Sequence, residues 1–279
     1  YKRQVLLFLG LDAGLEGEQG DANNFYGSGD KPDIELPKPQ KQLLDAMIAT
    51  GKPLVVVLVC GSALAIRDAD EHADAILDAF YPGEQGGLAL AELLFGEDSP
   101  SGRLPITFYR TTEELPDFTD YSMKGRTYRF MTQDALYPFG YGLSYTTFGY
   151  TLDQTAVEAV VGDTVTVKAT VANTGDFDAW EAVQAYVAAE VPGLTLPKYE
   201  LKFFDSVRIP SGTAAEVAVE LPASAFSVIH EDGTRHVHPG TYTVWIGGQQ
   251  PDARSRELTG REVCRLTVTL TGEEQVLPN

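Results

Sequence analysis

Cysteine is scarce: Cys60 and Cys264 are the only two in 279 residues, and they fall in different parts of the chain. That leaves no basis for a disulfide framework or a CxxC metal site. Cys60, at the end of an apolar run, reads as a small buried hydrophobe. Basic charge is short as well, with 21 Lys and Arg against 40 Asp and Glu and a net charge of −19. Nucleic acid is therefore not an expected partner, because phosphate backbones are met by stripes of Lys and Arg. The acidic excess is spread over both halves and reads as a solubilising surface. The longest apolar run, residues 53–60, is far short of the roughly 20 residues a membrane helix needs, so no membrane partner is expected. The turn PGEQGG (82–87) lacks the following Lys-Ser/Thr or a GxGxxG spacing, so no phosphate cradle is read there. No Ser/His/Asp arrangement is identifiable. No basic-then-apolar leader opens the chain. It begins at Tyr1 and enters a strand almost at once, as if the true start lay upstream, and the compartment (cytoplasmic, periplasmic or secreted) stays open.

What is present is an ordinary globular composition, 43% hydrophobic and 22% charged, in a chain long enough for two domains. The first part alternates buried strands with helical patterns. Strands are expected at 4–11, 52–61, 75–81 and 103–109, and helices at 39–50, after Pro37 and Pro39 and before Gly51, and at 88–95. This rhythm predicts a layered α/β sandwich domain. After Phe148 the pattern changes to period two, with strands at 163–175, 181–190, 202–210, 214–222, 240–248 and 264–270. Short alternating strands between Pro, Gly and Asn breaks predict an all-β immunoglobulin or fibronectin-III-like sandwich, with Trp180 and Trp245 in its core. The tail, 272–279, is expected to fray. Between the two patterns, LYPFGYGLSYTTF (136–148) is too broken by Gly and Pro for a helix or a central strand, and reads as a junction. The expected division is 1–135, a junction at 136–150, and 151–279.

Several segments carry a resemblance to one family. GKPLVVV (51–57), GSALA (61–65), AFYPGEQGGLALA (79–91), LFGEDSPSGRLPITF (94–108), DYSMKGRTYR (120–129) and the junction segment are similar to the α/β-sandwich domain of the family 3 glycoside hydrolases, the β-glucosidases and β-xylosidases. VANTG (171–175), AVQAYV (182–187), ELKFF (200–204) and PGTY (239–242) resemble that family's fibronectin-III-like module. The resemblance implies retaining hydrolysis of terminal β-linked glucose or xylose from oligosaccharides or glycosides, without a cofactor. It also implies a partner domain. The family's nucleophilic Asp stands in a Ser-Asp-Trp type motif on a (β/α)8 barrel, and here both Trp residues follow Ala or Val. The barrel is thus expected upstream or on a separate chain. Homo-oligomerisation stays open, and the alternative reading is a non-catalytic carbohydrate-binding or assembly module.

In the family the proton donor sits in a loop after the first sandwich strand. That loop here is GLDAGLEGEQGD (10–21), which holds Asp12, Glu16, Glu18 and Asp21. A retaining enzyme needs one carboxyl group to attack and one to donate, then remove, a proton. Clustered carboxylates are expected to raise one another's pKa, as a general acid requires. Glu16 is the favoured acid/base, with Glu18 the alternative. Phe25 or Tyr26, in the insert that follows, is a candidate sugar-stacking platform. Asp30-Lys31 stands where relatives commonly carry Asp-Arg, a pair able to fix the loop. His72 reads as a helix-surface residue. In SVIHEDGTRHVHP (227–239), alternation puts His236 and His238 on one face of a hairpin, but no third ligand has an obvious spacing, so no metal is expected.

Overall fold

Runs of Leu, Val and Phe form β1 (Val5–Gly10) and β2 (Leu54–Val59), and a shorter β3 (Ala75–Asp78) completes a parallel sheet in the order β1-β2-β3. Val5 pairs with Leu54 and Val55 with Ala75. Val56, Val57 and Leu58 are fully buried, as near-continuous apolar strands in parallel sheets are. The helices of this unit are α1 (Ala13–Glu16), α2 (Lys38–Ile48), α3 (Arg67–His72) and α4 (Gly86–Phe95). α2 carries Pro39 in its first turn, where a missing N–H costs nothing, and turns Leu44 into the core. α4 stops at Gly96, whose left-handed φ of 72° caps it. The computed structural model describes residues 3–21, 25–27 and 29–278, and the chain divides into two compact units, 1–97 with 107–121 and 98–106 with 122–279.

Two strand expectations need correction. The run 103–109 forms no regular strand, because Pro105 lacks the N–H that a ladder needs. The strand expected at 75–81 ends at Asp78, since Phe80 takes a left-handed φ of 49°.

The second unit contains α5 (Thr127–Phe130) and two main sheets. One orders β4 (Phe148–Leu152), β6 (Val165–Asn173) and β9 (Ala214–Leu221) as β4-β6-β9. The other orders β5 (Ala156–Val160), β7 (Ala179–Ala189), β8 (Glu200–Ile209), β12 (Gly240–Gly247) and β13 (Cys264–Thr271) as β5-β13-β12-β7-β8. Alternate residues fill the core: Val165, Val167, Ala169 and Val171 from β6 meet Val183, Ala185, Val244, Ile246, Leu266 and Val268. Each such Val, Leu or Ile contributes about 1.5–3 kcal/mol of burial. A third, small sheet joins β10 (Val228–Ile229), β11 (Arg235–Val237) and β14 (Gln275–Leu277), and α6 (Ala253–Thr259) lies between β12 and β13 in sequence.

The same alternation corrects two further expectations. Trp180 lies between buried Ala179 and Glu181, so it faces outward and is 44% exposed. Trp245, between buried Val244 and Ile246, also points away from the core and meets Tyr199 edge-on at 5.9 Å. The tail does not fray through its described residues: β14 pairs antiparallel with β11, Arg235 opposite Leu277.

Candidate active site

The carboxyl ends of β1, β2 and β3 lie on one edge of the parallel sheet, the side on which open α/β sheets collect ligands. β1 ends where Gln40 of α2 takes over its ladder, accepting from the Gly10 amide at 2.8 Å and donating to its carbonyl at 2.7 Å. Only glycine fits there, because a Cβ would lie 1.8 Å from the Val59 carbonyl oxygen. The chain then turns into α1. Asp12 caps it, its side chain accepting from the Leu15 amide at 2.9 Å.

α1 delivers Glu16 to the ends of the next two strands. Its Oε1 accepts from the Gly61 amide at 2.7 Å and from the Tyr81 hydroxyl at 3.1 Å. Its Oε2 accepts from the Ser62 hydroxyl at 2.6 Å and lies 3.9 Å from Lys31 Nζ. Lys31 also donates to Ser62 Oγ at 3.2 Å. Gly61 makes the arrangement possible, since a Cβ there would come within 2.7 Å of the Tyr81 ring. Burial pushes the Glu16 carboxyl up, the largest single influence, but Ser62, the Gly61 amide, Tyr81 and Lys31 together hold it below its ordinary value. This differs from the expectation that clustered acids raise one another. The groups around Glu16 are donors and a cation, drawn from loops remote in sequence, while Asp12, Glu18 and Asp21 are exposed.

The same edge holds two groups that sequence reasoning missed or left as plain core. Burial pushes the Cys60 thiol up to about 12, with Asp78 and then Glu16 adding to it. Asp78 closes β3. Its Oδ1 accepts from the Phe80 amide at 3.1 Å, its Oδ2 is buried without a hydrogen-bond partner, and burial raises its carboxyl to about 6. The only local signal was an acid ending an apolar strand.

The remaining expected residues fall around this edge. Asp30 accepts from the Gln19 amide at 2.9 Å while Lys31 turns to Ser62 and Glu16, so the two brace the acidic loop from different directions. Phe25 is 75% exposed and meets Tyr26 edge-on at 5.2 Å; its amide donates to the Gly14 carbonyl, tying the insert to α1. Ala22, Asn23 and Asn24 of the insert lie outside the described residues. His72 sits in the last turn of α3, its Nδ1 3.0 Å from the Asp68 carbonyl oxygen. In the second unit the expectation of a histidine pair lacking further ligands does not hold: His230, His236, His238 and Glu274 come together, with one possible ligand atom from each within 4.8 Å of the others.

Residues 2–145 match the Glycosyl hydrolase family 3 C-terminal domain, and residues 181–250 match the Fibronectin type III-like domain. The chain is 39% identical over 259 residues to a Xylan 1,4-beta-xylosidase of Xylanibacter ruminicola, covering 92% of this chain and 30% of that protein. It is 34% identical to a Periplasmic beta-glucosidase of Salmonella typhimurium, covering 87% of this chain and 32% of the relative. The crystal structure of a GH3 beta-glucosidase from Bifidobacterium adolescentis superposes with a TM-score of 0.80 at 33% identity, covering 98% of this chain and 40% of that one. The chain thus spans about a third of the length of the curated relatives it matches.

Proposed function

Since the chain belongs to glycosyl hydrolase family 3, matching its C-terminal domain over residues 2–145, we propose that it supplies the general acid/base of a retaining β-glycosidase. The nucleophilic Asp comes from a (β/α)8 barrel outside these residues. The substrate is a glycoside or oligosaccharide ending in a β-linked xylose or glucose, the sugars in the names of the relatives. The observation that carries this reading is the acidic loop, braced by Gly61, Ser62, Tyr81, Lys31 and Asp30 at the carboxyl edge of the sheet.

Within the loop we assign the two glutamates different work. Glu16 has both oxygens engaged and is held ionised, which suits an anchor better than a proton donor. Glu18, two residues on and exposed, is the group we place in the proton-transfer role, with Glu16 positioning it; the order of the motif alone favours the reverse. Glu18 would protonate the glycosidic oxygen as the sugar is captured, then deprotonate the water that releases it. Phe25 offers an exposed ring for the sugar face or the aglycone.

The test is hydrolysis of aryl β-xylosides, β-glucosides and α-arabinosides by this chain alone and joined to the family barrel. No turnover alone and turnover when joined is the expected result. Turnover by the chain alone would mean that a nucleophile lies within these residues. Sugar binding without turnover in the joined protein would favour a non-catalytic carbohydrate-binding or assembly module.

A further inference from the structure

Three of the four histidines in the chain meet in one place. Strand register explains how. In the β10–β11 hairpin Val228 pairs with His236, so His230, two residues beyond Val228, shares the face of His236. On β11, His236 and His238 are two apart and also share that face. His236 pairs with Val276 of β14, and Glu274, two residues before Val276, falls on the same face opposite His238. The side chains follow: the His230 and His236 rings stack at 3.9 Å, His230 Nε2 lies 2.9 Å from His238 Nε2, and His238 Nδ1 is 3.3 Å from Glu274 Oε2. Glu274 Oε1 contacts His236 Nδ1, and Thr234 Oγ1 lies 2.6 Å from His236 Nε2, fixing that ring from the far side. Both imidazoles bordering the carboxylate are mostly buried, at 15% and 16% side-chain exposure, while Glu274 opens to solvent at 43%.

We propose that His230, His236, His238 and Glu274 bind one divalent transition-metal ion of the zinc type. Three imidazoles and a carboxylate are a donor set that suits zinc, nickel or copper and is poorly matched to calcium or magnesium. Ligand atoms on one such ion stand roughly 3–4 Å apart, given metal–ligand bonds of about 2.0–2.2 Å, and the four here already lie within 4.8 Å of one another. The ion ties the last strand, β14, to the β10–β11 hairpin. Glu274 is the entry side. The role is structural, because all four positions are taken by protein side chains, as in closed zinc sites.

The test uses tag-free protein stripped with a chelator and titrated with zinc chloride against a chromophoric competitor. One equivalent of zinc is expected, with a rise in melting temperature. His238→Ala should weaken the site at least about tenfold, and Glu274→Gln, at an exposed position that leaves the fold intact, by roughly tenfold. His72→Ala, which removes the remaining histidine, should change nothing. Absence of stoichiometric zinc, or equal affinity in the wild type and Glu274→Gln and His238→Ala variants, would overturn the proposal and leave a metal-free histidine stack. Equal loss in His72→Ala would overturn it too, by showing diffuse binding.

Discussion

Glu16 in the first unit and Glu181 in the second are both carboxylates held by a basic residue and a tyrosine, yet their environments push them in opposite directions. Glu181 is fully buried; it accepts from Arg103 at 2.6 Å and from Tyr150 at 2.8 Å. Burial still raises its pKa, outweighing Arg103, Tyr150 and Arg261. Glu16 keeps 21% of its side chain in contact with water, and there the donors win and lower its pKa. The sign of the shift is therefore decided by access to water more than by the number of partners. A sealed pair such as Arg103–Glu181 specifies a packing. A braced carboxylate at an open strand edge keeps contact with water and its charge.

The largest expected effect breaks the sealed pair. Arg103→Ala leaves Glu181 buried and uncompensated and should cost about 3–5 kcal/mol. The deficit should be larger at pH 8 than at pH 5, because protonation neutralises the orphaned acid; urea unfolding at the two values reads both. Glu16→Gln loses the Lys31 attraction and turns an amide toward donors, so about 1–2 kcal/mol is expected at pH 7. Glu16 has a lowered pKa in the folded state, so its stabilisation is present above its unfolded value of 4.5 and fades as pH falls through the folded one. The gap between wild type and Glu16→Gln should accordingly narrow as pH falls below 4.5. Asp78 gives the smallest effect and the opposite sign. Its folded pKa of about 6 exceeds the ordinary 3.8, so ionisation costs stability in full above pH 6 and not at all below about pH 4. Asp78→Asn should gain about 1 kcal/mol at pH 8, discounted for its partly open position. The gain should vanish as pH falls to 4 in the same unfolding assay.

Much of this was legible where the signal is local. The alternation of VTVKATVAN reads directly as β6, with every other residue in the core, and the apolar runs of β1 and β2 read as buried parallel strands. Both tryptophans were misplaced for want of strand parity: their buried neighbours on each side settle that they face outward. β14 was missed because its three residues acquire a partner only in β11, far back in the chain. The site split the same way. The acidic loop and its position after a strand were visible, while the lowered pKa of Glu16 depends on Gly61, Ser62 and Tyr81, brought in by two other strands. The histidine cluster lay one step beyond reach for the same reason: its carboxylate comes from β14's edge.

The most direct test of the loop's role is azide rescue in the barrel-joined protein with an activated aryl β-xyloside. Glu18→Gln should lose about 10²–10⁴ in rate and recover with azide on this activated substrate, yielding a β-glycosyl azide, while Glu16→Gln should show no rescue. Rescue of Glu16→Gln alone would make Glu16 the acid/base, and rescue of neither would remove the acidic loop from the chemistry.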